Sequence, residues 1–220
     1  MKLIQLFAIF GGFICIQHVS AGCSSSDISK VNKCYTDYMN ALRFYGSTFN
    51  DYYNYVRKYY ILVSWNGVTS LCQTFGTLQY CVKKDCMNND DFKKVATFGG
   101  NSASDYIGNY YAFDYMCSSD GKQHYYKSYT CLISNYQNIG KYCTNYGNDC
   151  TSRKNENICF VNDATHFCGS DANAYTNSSL FTTLCHSRPE CCSNGSNAVE
   201  LGIGYILALF VMHAVLKLFN

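Results

Sequence analysis

The sequence predicts an all-α fold: a disulfide-braced helical bundle with a cysteine-rich, loop-rich C-terminal part. Three observations support this prediction. Apolar and aromatic residues recur from Ile28 to Val63 at steps that alternate between three and four, which is the spacing of one helix face and not of a strand. A single proline in 220 residues favours helices over a module of loops and short strands. Fifteen cysteines, several on apolar helix faces, supply the braces.

The helices are expected mainly in the N-terminal two thirds of the chain. Ser24–Asp27 offers capping side chains before the first helix, and Gly46 bends or splits that helix. The predicted segments are residues 28–63, 69–86, 92–98, 106–117 and 123–146. Residues 148–192 carry six cysteines among Asn, Asp, Ser and Thr. They are expected to form disulfide-held loops with one short helix near Ser179–Cys185.

The chain begins with the features of a secretory signal peptide. Lys2 gives a positive n-region, Leu3 to Ile16 form an apolar h-region, and Val19-Ser20-Ala21 supplies a small-residue cleavage site. Cleavage after Ala21 makes residues 1–21 the signal peptide and directs the mature chain into an oxidising compartment.

The last twenty residues predict a glycosylphosphatidylinositol (GPI) anchor. Residues 201–219 are apolar except for one histidine and one lysine, and a run of small residues at 193–198 precedes them. This arrangement is the pattern of a GPI-attachment signal. The rival interpretation is a retained transmembrane helix. However, a stop-transfer helix usually ends in cytoplasmic Lys or Arg, and only Leu, Phe and Asn follow Lys217.

These signals divide the chain into three parts and place it on the extracellular face of the plasma membrane. Residues 22–194 form one extracellular disulfide-rich domain, of a length typical of a single domain. Residues 195–220 are the propeptide that is removed when the lipid is attached. Asn194 is the predicted attachment residue, with Ser193 and Gly195 as alternatives. The outer leaflet is therefore a predicted partner, reached through the lipid anchor.

The nearly equal numbers of positive and negative residues bear on whether the protein binds nucleic acid. The chain carries 17 Lys and Arg against 15 Asp and Glu. A nucleic-acid surface needs a basic excess, so the composition argues against nucleic acid as a partner.

The cysteine count predicts a complete set of disulfide bonds. Removal of Cys15 with the signal peptide leaves an even number of cysteines in a compartment where thiols oxidise. Seven bridges are expected, although the pairing cannot be deduced from sequence. The cysteines concerned are Cys23, Cys34, Cys72, Cys81, Cys86, Cys117, Cys131, Cys143, Cys150, Cys159, Cys168, Cys185, Cys191 and Cys192.

Two stretches carry a resemblance to a known family. Residues 71–86 read LCQTFGTLQYCVKKDC, residues 105–132 read DYIGNYYAFDYMCSSDGKQHYYKSYTCL, and the late cysteines follow. This succession of Leu-Cys and Cys-x4-Cys elements before a Met-Cys-Ser turn resembles the nematode secreted cysteine-rich module catalogued as domain of unknown function 19. The resemblance covers about residues 23–168 and implies an extracellular disulfide domain with no known activity. The Cys191-Cys192 pair does not come from that pattern.

Few residues of the types used in catalysis or metal binding are present. The mature chain keeps His124, His166 and His186, and an even cysteine count leaves no free thiol to pair with them. Cys185-His186 with Cys191-Cys192 has the ligand types for zinc, but an oxidising compartment favours disulfides beside a surface histidine. We expect no cofactor, no metal and no enzymatic activity. A cavity holding one of these histidines beside a carboxylate would instead favour a secreted hydrolase.

Tyrosine is the most unusual part of the composition, with 21 residues against one tryptophan. Tyrosines on the helical face of residues 28–63, including Tyr45 and Tyr59, are expected to be half-buried bundle contacts. Tyrosines off that face are candidates for a ligand surface, because Tyr is enriched at interfaces. The candidate ligand surface comprises Tyr53, Tyr55, Tyr60 and the pair Tyr110 and Tyr111, of which one is expected to be off the buried face.

Together these features predict a GPI-anchored extracellular glycoprotein that acts as a recognition or adhesion module for a protein or a glycan. Asn177, in an Asn-Ser-Ser sequon, is the predicted N-glycosylation site. One alternative is a structural surface-coat protein without a specific ligand, and another is a single-pass membrane protein if the tail is retained. An exposed cluster of tyrosines would favour recognition, and a uniformly polar surface would favour the coat.

Overall fold

The computed structural model describes residues 23–143 and 146–192, and within them every regular element is a helix, as predicted. The predicted signal peptide, the attachment residue Asn194 and the apolar tail lie outside these ranges. The α-helices are α1 Ser25–Ala41, α2 Phe49–Val56, α3 Trp65–Cys81, α4 Asn89–Phe92, α5 Ala103–Cys117, α6 Ser119–Ser134 and α7 Cys150–Ser187. A π-helical segment, Arg57–Ile61, continues α2, and short 3₁₀ turns lie at Lys84–Cys86, Gly100–Ser102 and Pro189–Cys191.

Polar side chains fix where the helices begin. Ser24 forms a capping box with Asp27 at the start of α1, because each side chain bonds the backbone N–H of the other. Thr48, Ser64 and Ser118 each accept a hydrogen bond from a backbone N–H in the first turn of α2, α3 and α6. These bonds satisfy donors that a helix N-terminus leaves without an intrahelical partner.

Helix α5 is the central helix of the bundle. It packs on α3, α4, α6 and α7, and eight of its fifteen residues are buried. Gly108 lets α7 approach closely, since a Cβ there would lie 3.1 Å from the Thr183 side chain. A helix with apolar contacts on most of its circumference is typical of a protein core.

The prediction of loops over residues 148–192 is wrong, because α7 fills most of this region. Its helical path reverses at Gly169, whose φ of 78° and ψ of −163° lie in a region open essentially only to glycine. Residues 150–168 and 170–187 therefore form two antiparallel arms. Hydrogen bonds cross between them, from Asn157 Nδ2 to the Leu180 carbonyl and from Asn173 Nδ2 to Thr165 Oγ1.

All fourteen cysteines expected in the mature chain are paired, which confirms the prediction of seven bridges. The bridges join α1 to α3, α3 to α5 and α6 to α7, and they close the C-terminal end of α7. The pairs are Cys23–Cys86, Cys34–Cys81, Cys72–Cys117, Cys131–Cys168, Cys143–Cys159, Cys150–Cys191 and Cys185–Cys192.

Aromatic rings dominate the core between α1, α4 and α5. Tyr35 is fully enclosed there, and its ring centroid lies 5.3 to 6.5 Å from four other rings, those of Tyr38, Phe92, Phe98 and Tyr106. Much of the high tyrosine content therefore serves packing, as edge-to-face contacts of this kind stabilise a core beyond the area that they bury.

Candidate binding surfaces

The π-helical segment changes which side chains face the core after α2. The Leu62 N–H donates to the Arg57 carbonyl over 2.9 Å, an i to i+5 bond that inserts one extra residue into the turn. Tyr60 and Ile61 consequently turn inward, whereas Tyr59 and Val63 are 53% and 65% exposed. The prediction that Tyr59 is a half-buried bundle contact is wrong for this reason.

Tyr45 also lies outside the core, contrary to prediction. Helix α1 ends at Ala41, and Arg43 then takes a left-handed conformation with a φ of 57°. The helical period therefore stops before Tyr45, whose side chain is 83% exposed.

These two exposed tyrosines belong to a tyrosine patch, which we define as Tyr45, Tyr55, Tyr59 and Tyr60. The ring of Tyr55 lies 4.8 Å from that of Tyr59 and 6.3 Å from that of Tyr60, centroid to centroid. The hydroxyls of Tyr55 and Tyr60 both donate to the Leu42 carbonyl, over 2.8 and 3.3 Å. Two half-buried members are thus fixed to the backbone. Of the exposed members, Tyr59 lies beside Tyr55, and Tyr45 is close enough to Tyr55 to raise its pKa.

Two cations accompany the patch. Lys58 Nζ lies 5.1 Å from the centroid of the Tyr59 ring, which is within cation–π range. Burial and the neighbouring Tyr60 and Tyr59 raise the pKa of Tyr55, while the charge of Arg43 opposes them. The patch therefore combines aromatic faces with positive charge.

The five predicted ligand tyrosines do not form one surface. Tyr55 and Tyr60 are half-buried members of the patch, and Tyr53 is 43% exposed on the other side of α2. Tyr110 and Tyr111 are both buried, so the prediction that one of them reaches the surface is wrong. Only Asp105 among the residues of α5 is exposed, so this helix offers almost no surface for a tyrosine to occupy.

A second feature is a cleft of about 700 Å³, whose lining includes α2, the π-helical segment, α5, α6 and both arms of α7. This volume lies within the range of ligand-binding pockets, which are mainly apolar with few polar groups. Tyr53 and Arg57 line the cleft and are both exposed, so they lie at its opening. The Arg57 guanidinium lies 5.9 Å from the centroid of the Tyr53 ring.

Four more charged residues line the cleft: Arg153 and Glu156 form an ion pair, whereas Asp105 and Arg188 influence each other without forming one. Arg153 Nη1 donates to Glu156 Oε2 over 2.8 Å. Burial raises the pKa of Asp105, and the nearby positive charge of Arg188 opposes that shift. Among the residues that the structure describes, Arg57 has no ion-pair partner.

The histidines do not share this cleft. His124 Nδ1 lies 2.9 Å from Asp171 Oδ1, and its Nε2 lies 3.6 Å from Asp120. The hydrogen bond from His124, together with the charge of Lys127, lowers the pKa of Asp171. This pair has the residues that a hydrolase would need, but neither His124 nor Asp171 lines the cleft. That the protein is not an enzyme stays a prediction.

The zinc alternative fails because the thiols are used in bridges. Cys185 pairs with Cys192 and Cys191 pairs with Cys150. His186 stacks instead on Tyr111. Within the described residues, each cluster of three potential metal ligands also contains a disulfide-bonded pair, so its sulfurs are not thiolates.

Trp65 and Asn177 lie at the surface of the helices. Trp65 is half-buried at the start of α3, with its ring 4.9 to 5.9 Å from three tyrosine rings of α6, so it packs at the edge of the core. Asn177 is exposed on the second arm of α7, and its glycosylation stays a prediction. No helix in the two described ranges is long and apolar enough to cross a bilayer.

No protein-family model, curated protein or solved structure matches this chain. The similarity to the nematode secreted module therefore stays a prediction from the sequence.

Proposed function

We propose that this protein is a GPI-anchored extracellular module that recognises a partner through the tyrosine patch. The observation that carries the proposal is the exposure of two tyrosines, Tyr45 and Tyr59, that both lie near Tyr55. Tyr55 and Tyr60 are fixed to the Leu42 carbonyl. A tyrosine ring offers a large contact area for a small loss of side-chain entropy on binding.

The charges at the patch favour an acidic partner. Lys58 and Arg43 lie at its edge, and positive groups beside aromatic rings suit an acidic protein surface or an anionic glycan. Tyrosine faces also stack on sugar rings, so both classes fit the patch. A π-helical turn at this position is consistent with a functional site, since such turns often occur at them.

The test compares two double variants of the secreted ectodomain, residues 22–194, displayed as fluorescent tetramers. Tyr45→Ala with Tyr59→Ala removes the exposed rings of the patch. Tyr80→Ala with Tyr142→Ala removes two exposed tyrosines elsewhere and is the matched control. Binding is measured on cells before and after enzymatic removal of anionic glycans, and on an array of sulfated and unsulfated glycans.

We expect the patch variant to lose at least tenfold in binding and the control to match the wild type. If the wild type no longer binds after glycan removal, the partner is an anionic glycan. If it still binds, the partner is a protein. Equal binding by both variants would overturn the proposal and favour the surface-coat alternative, in which seven bridges serve resistance to proteolysis.

The anchor is tested separately. Phospholipase C treatment of cells that express the full chain should release a protein that ends at or near Asn194. Retention on the cell together with residues 201–220 would instead identify a single-pass membrane protein.

A further inference from the structure

The cleft has walls that suit an acyl chain. Side chains from three helices and the segment after α2 contribute apolar surface to it, among them Leu62, Met116, Ile133, Phe160 and Leu180. These residues come from different elements of the fold, so an acyl chain bound among them would contact apolar surface on more than one face. Apolar enclosure of this kind is the main source of affinity for a hydrocarbon ligand.

Three hydroxyl groups on the α7 wall have no free donor to offer to water or to a ligand. Thr176, Thr183 and Ser187 all line the cleft, and each hydroxyl donates to the carbonyl four residues earlier in its own helix, over 2.7 to 2.8 Å. Their donors are therefore already used, and the wall is less polar than its sequence suggests.

The charges of the cleft favour an anionic head group. Three arginines and two carboxylates line it. Arg153 is paired with Glu156, and Arg188 lies near Asp105. Within the described part of the chain Arg188 forms no ion pair, but its guanidinium donates to the Asn148 carbonyl over 2.6 Å. Arg57, which is exposed at the opening and forms no ion pair among the described residues, is therefore the arginine most available to a ligand. Its planar guanidinium can bind a carboxylate through two parallel hydrogen bonds.

From these observations we infer that the cleft binds a long-chain free fatty acid, with the carboxylate on Arg57 and the acyl chain between α5, α6 and the two arms of α7. One exposed arginine at the opening matches a single carboxylate. The volume of about 700 Å³ is that of a pocket for one small ligand, and this favours one acyl chain over a two-chain phospholipid. The inference does not depend on the tyrosine patch, from which the cleft is separate.

The experiment uses the secreted, delipidated ectodomain with its bridges intact. Binding of oleate is measured by calorimetry and by displacement of a fluorescent fatty acid. Oleyl alcohol and methyl oleate test the carboxylate, and lysophosphatidylcholine tests whether a lipid head group replaces it. A series of saturated acids tests the chain, since each buried methylene should raise affinity by about fourfold until the cleft is full.

Two variants and one control locate the ligand. Arg57→Gln should weaken oleate binding at least tenfold and leave oleyl alcohol unchanged. Ser179→Trp, which places a large ring in the cleft, should weaken both. Lys154→Gln is the control, because Lys154 is exposed and does not line the cleft; it should behave as the wild type.

Absence of oleate binding to the wild type would overturn the inference. Equal affinity of Arg57→Gln and wild type, or of oleate and oleyl alcohol, would overturn the role of Arg57. Stronger binding of lysophosphatidylcholine than of oleate would overturn the assignment to a free fatty acid. Circular dichroism and thermal melts of each variant separate loss of binding from loss of folding.

Discussion

The imidazole of His186 lies flat on the phenol ring of Tyr111, with centroids 3.4 Å apart and planes within 9° of parallel. Partial burial lowers the pKa of His186; the charge of Lys84 adds to this shift and that of Asp114 opposes it. The neutral imidazole is thus the form that the folded protein favours. The contact also secures the end of α7 on the central helix α5.

This pKa shift predicts that stability falls as the pH drops below about 6.5, the ordinary histidine value. The unfolded chain then binds a proton that the folded chain resists, so protonation favours unfolding. Above that pH both states are neutral at this position and the stabilisation is complete. We expect thermal melts of the ectodomain to show a lower Tm at pH 5 than at pH 7.5.

His186→Phe keeps a flat ring on Tyr111 but cannot take up a proton, so it should reduce the dependence of Tm on pH in this window. His166→Gln, at an exposed position, should leave that dependence as in the wild type. An unchanged pH dependence in His186→Phe would contradict the assignment.

Two buried tyrosines should respond in opposite ways to loss of the hydroxyl. Tyr52 donates to Asn109 Oδ1 over 2.9 Å and lies 3.1 Å from the Tyr38 hydroxyl. Tyr52→Phe would leave both groups without that partner and should cost about 1–3 kcal/mol. The Tyr35 hydroxyl is buried with no hydrogen-bond partner among the described residues. Tyr35→Phe should therefore stabilise the protein, by about 1 kcal/mol.

Denaturant unfolding of both variants measures the difference. Each substitution removes one oxygen from a buried ring in the same aromatic core, so the pair controls for ring packing. Destabilisation by Tyr35→Phe comparable to that by Tyr52→Phe would show that a partner, such as a bound water, satisfies Tyr35.

Helix periodicity predicted the N-terminal helices because their faces differ sharply in polarity. Val31, Tyr35 and Tyr38 are buried on α1 as their spacing requires. Periodicity failed to predict α7, because only Ala164, Ala172 and Leu184 are buried along its 38 residues. That helix depends on disulfides, on inter-arm hydrogen bonds and on the Asp149 cap, none of which produces an apolar period.

The candidate sites were harder to predict for two different reasons. A π-helical turn shifts the phase of the side chains by one residue, so Tyr59 moved to the surface although its spacing fits the buried face. The cleft draws its lining from segments between residues 49 and 188, and only the tertiary fold brings them together. Nothing in the sequence identifies Arg57 as a binding residue, because a single arginine on a helix is common in proteins.

The reversal of α7 predicts contrasting effects at two glycines. Gly169→Ala should destabilise the protein by about 1–3 kcal/mol, because its backbone conformation is strained for any residue with a Cβ. Gly76→Ala should stabilise it by about 1 kcal/mol, since Gly76 lies inside α3 and an added Cβ meets no atom within 4 Å. Chemical unfolding measures both, and a neutral Gly169→Ala would contradict the reversal at this residue.

The neighbouring cysteines at 191 and 192 close loops of very different length, which predicts different costs for their removal. Cys150–Cys191 spans 41 residues and Cys185–Cys192 spans 7. If the bridges act by restricting the unfolded chain, removing the first should cost about 4 kcal/mol and removing the second about 2.5 kcal/mol. Each variant replaces both cysteines of one pair by serine, so that no thiol is left to exchange.

The measurement is the free energy of unfolding of the two paired variants, after mass analysis has confirmed the six remaining bridges. Because the two pairs involve adjacent cysteines at the open end of the hairpin formed by the two arms of α7, local packing losses should be similar and the difference should report loop length. Equal costs would mean that both bridges act mainly by holding the end of α7 in the folded state. Two or more free thiols in the wild type would contradict the pairing itself and would make the thiols near His186 available again for metal binding.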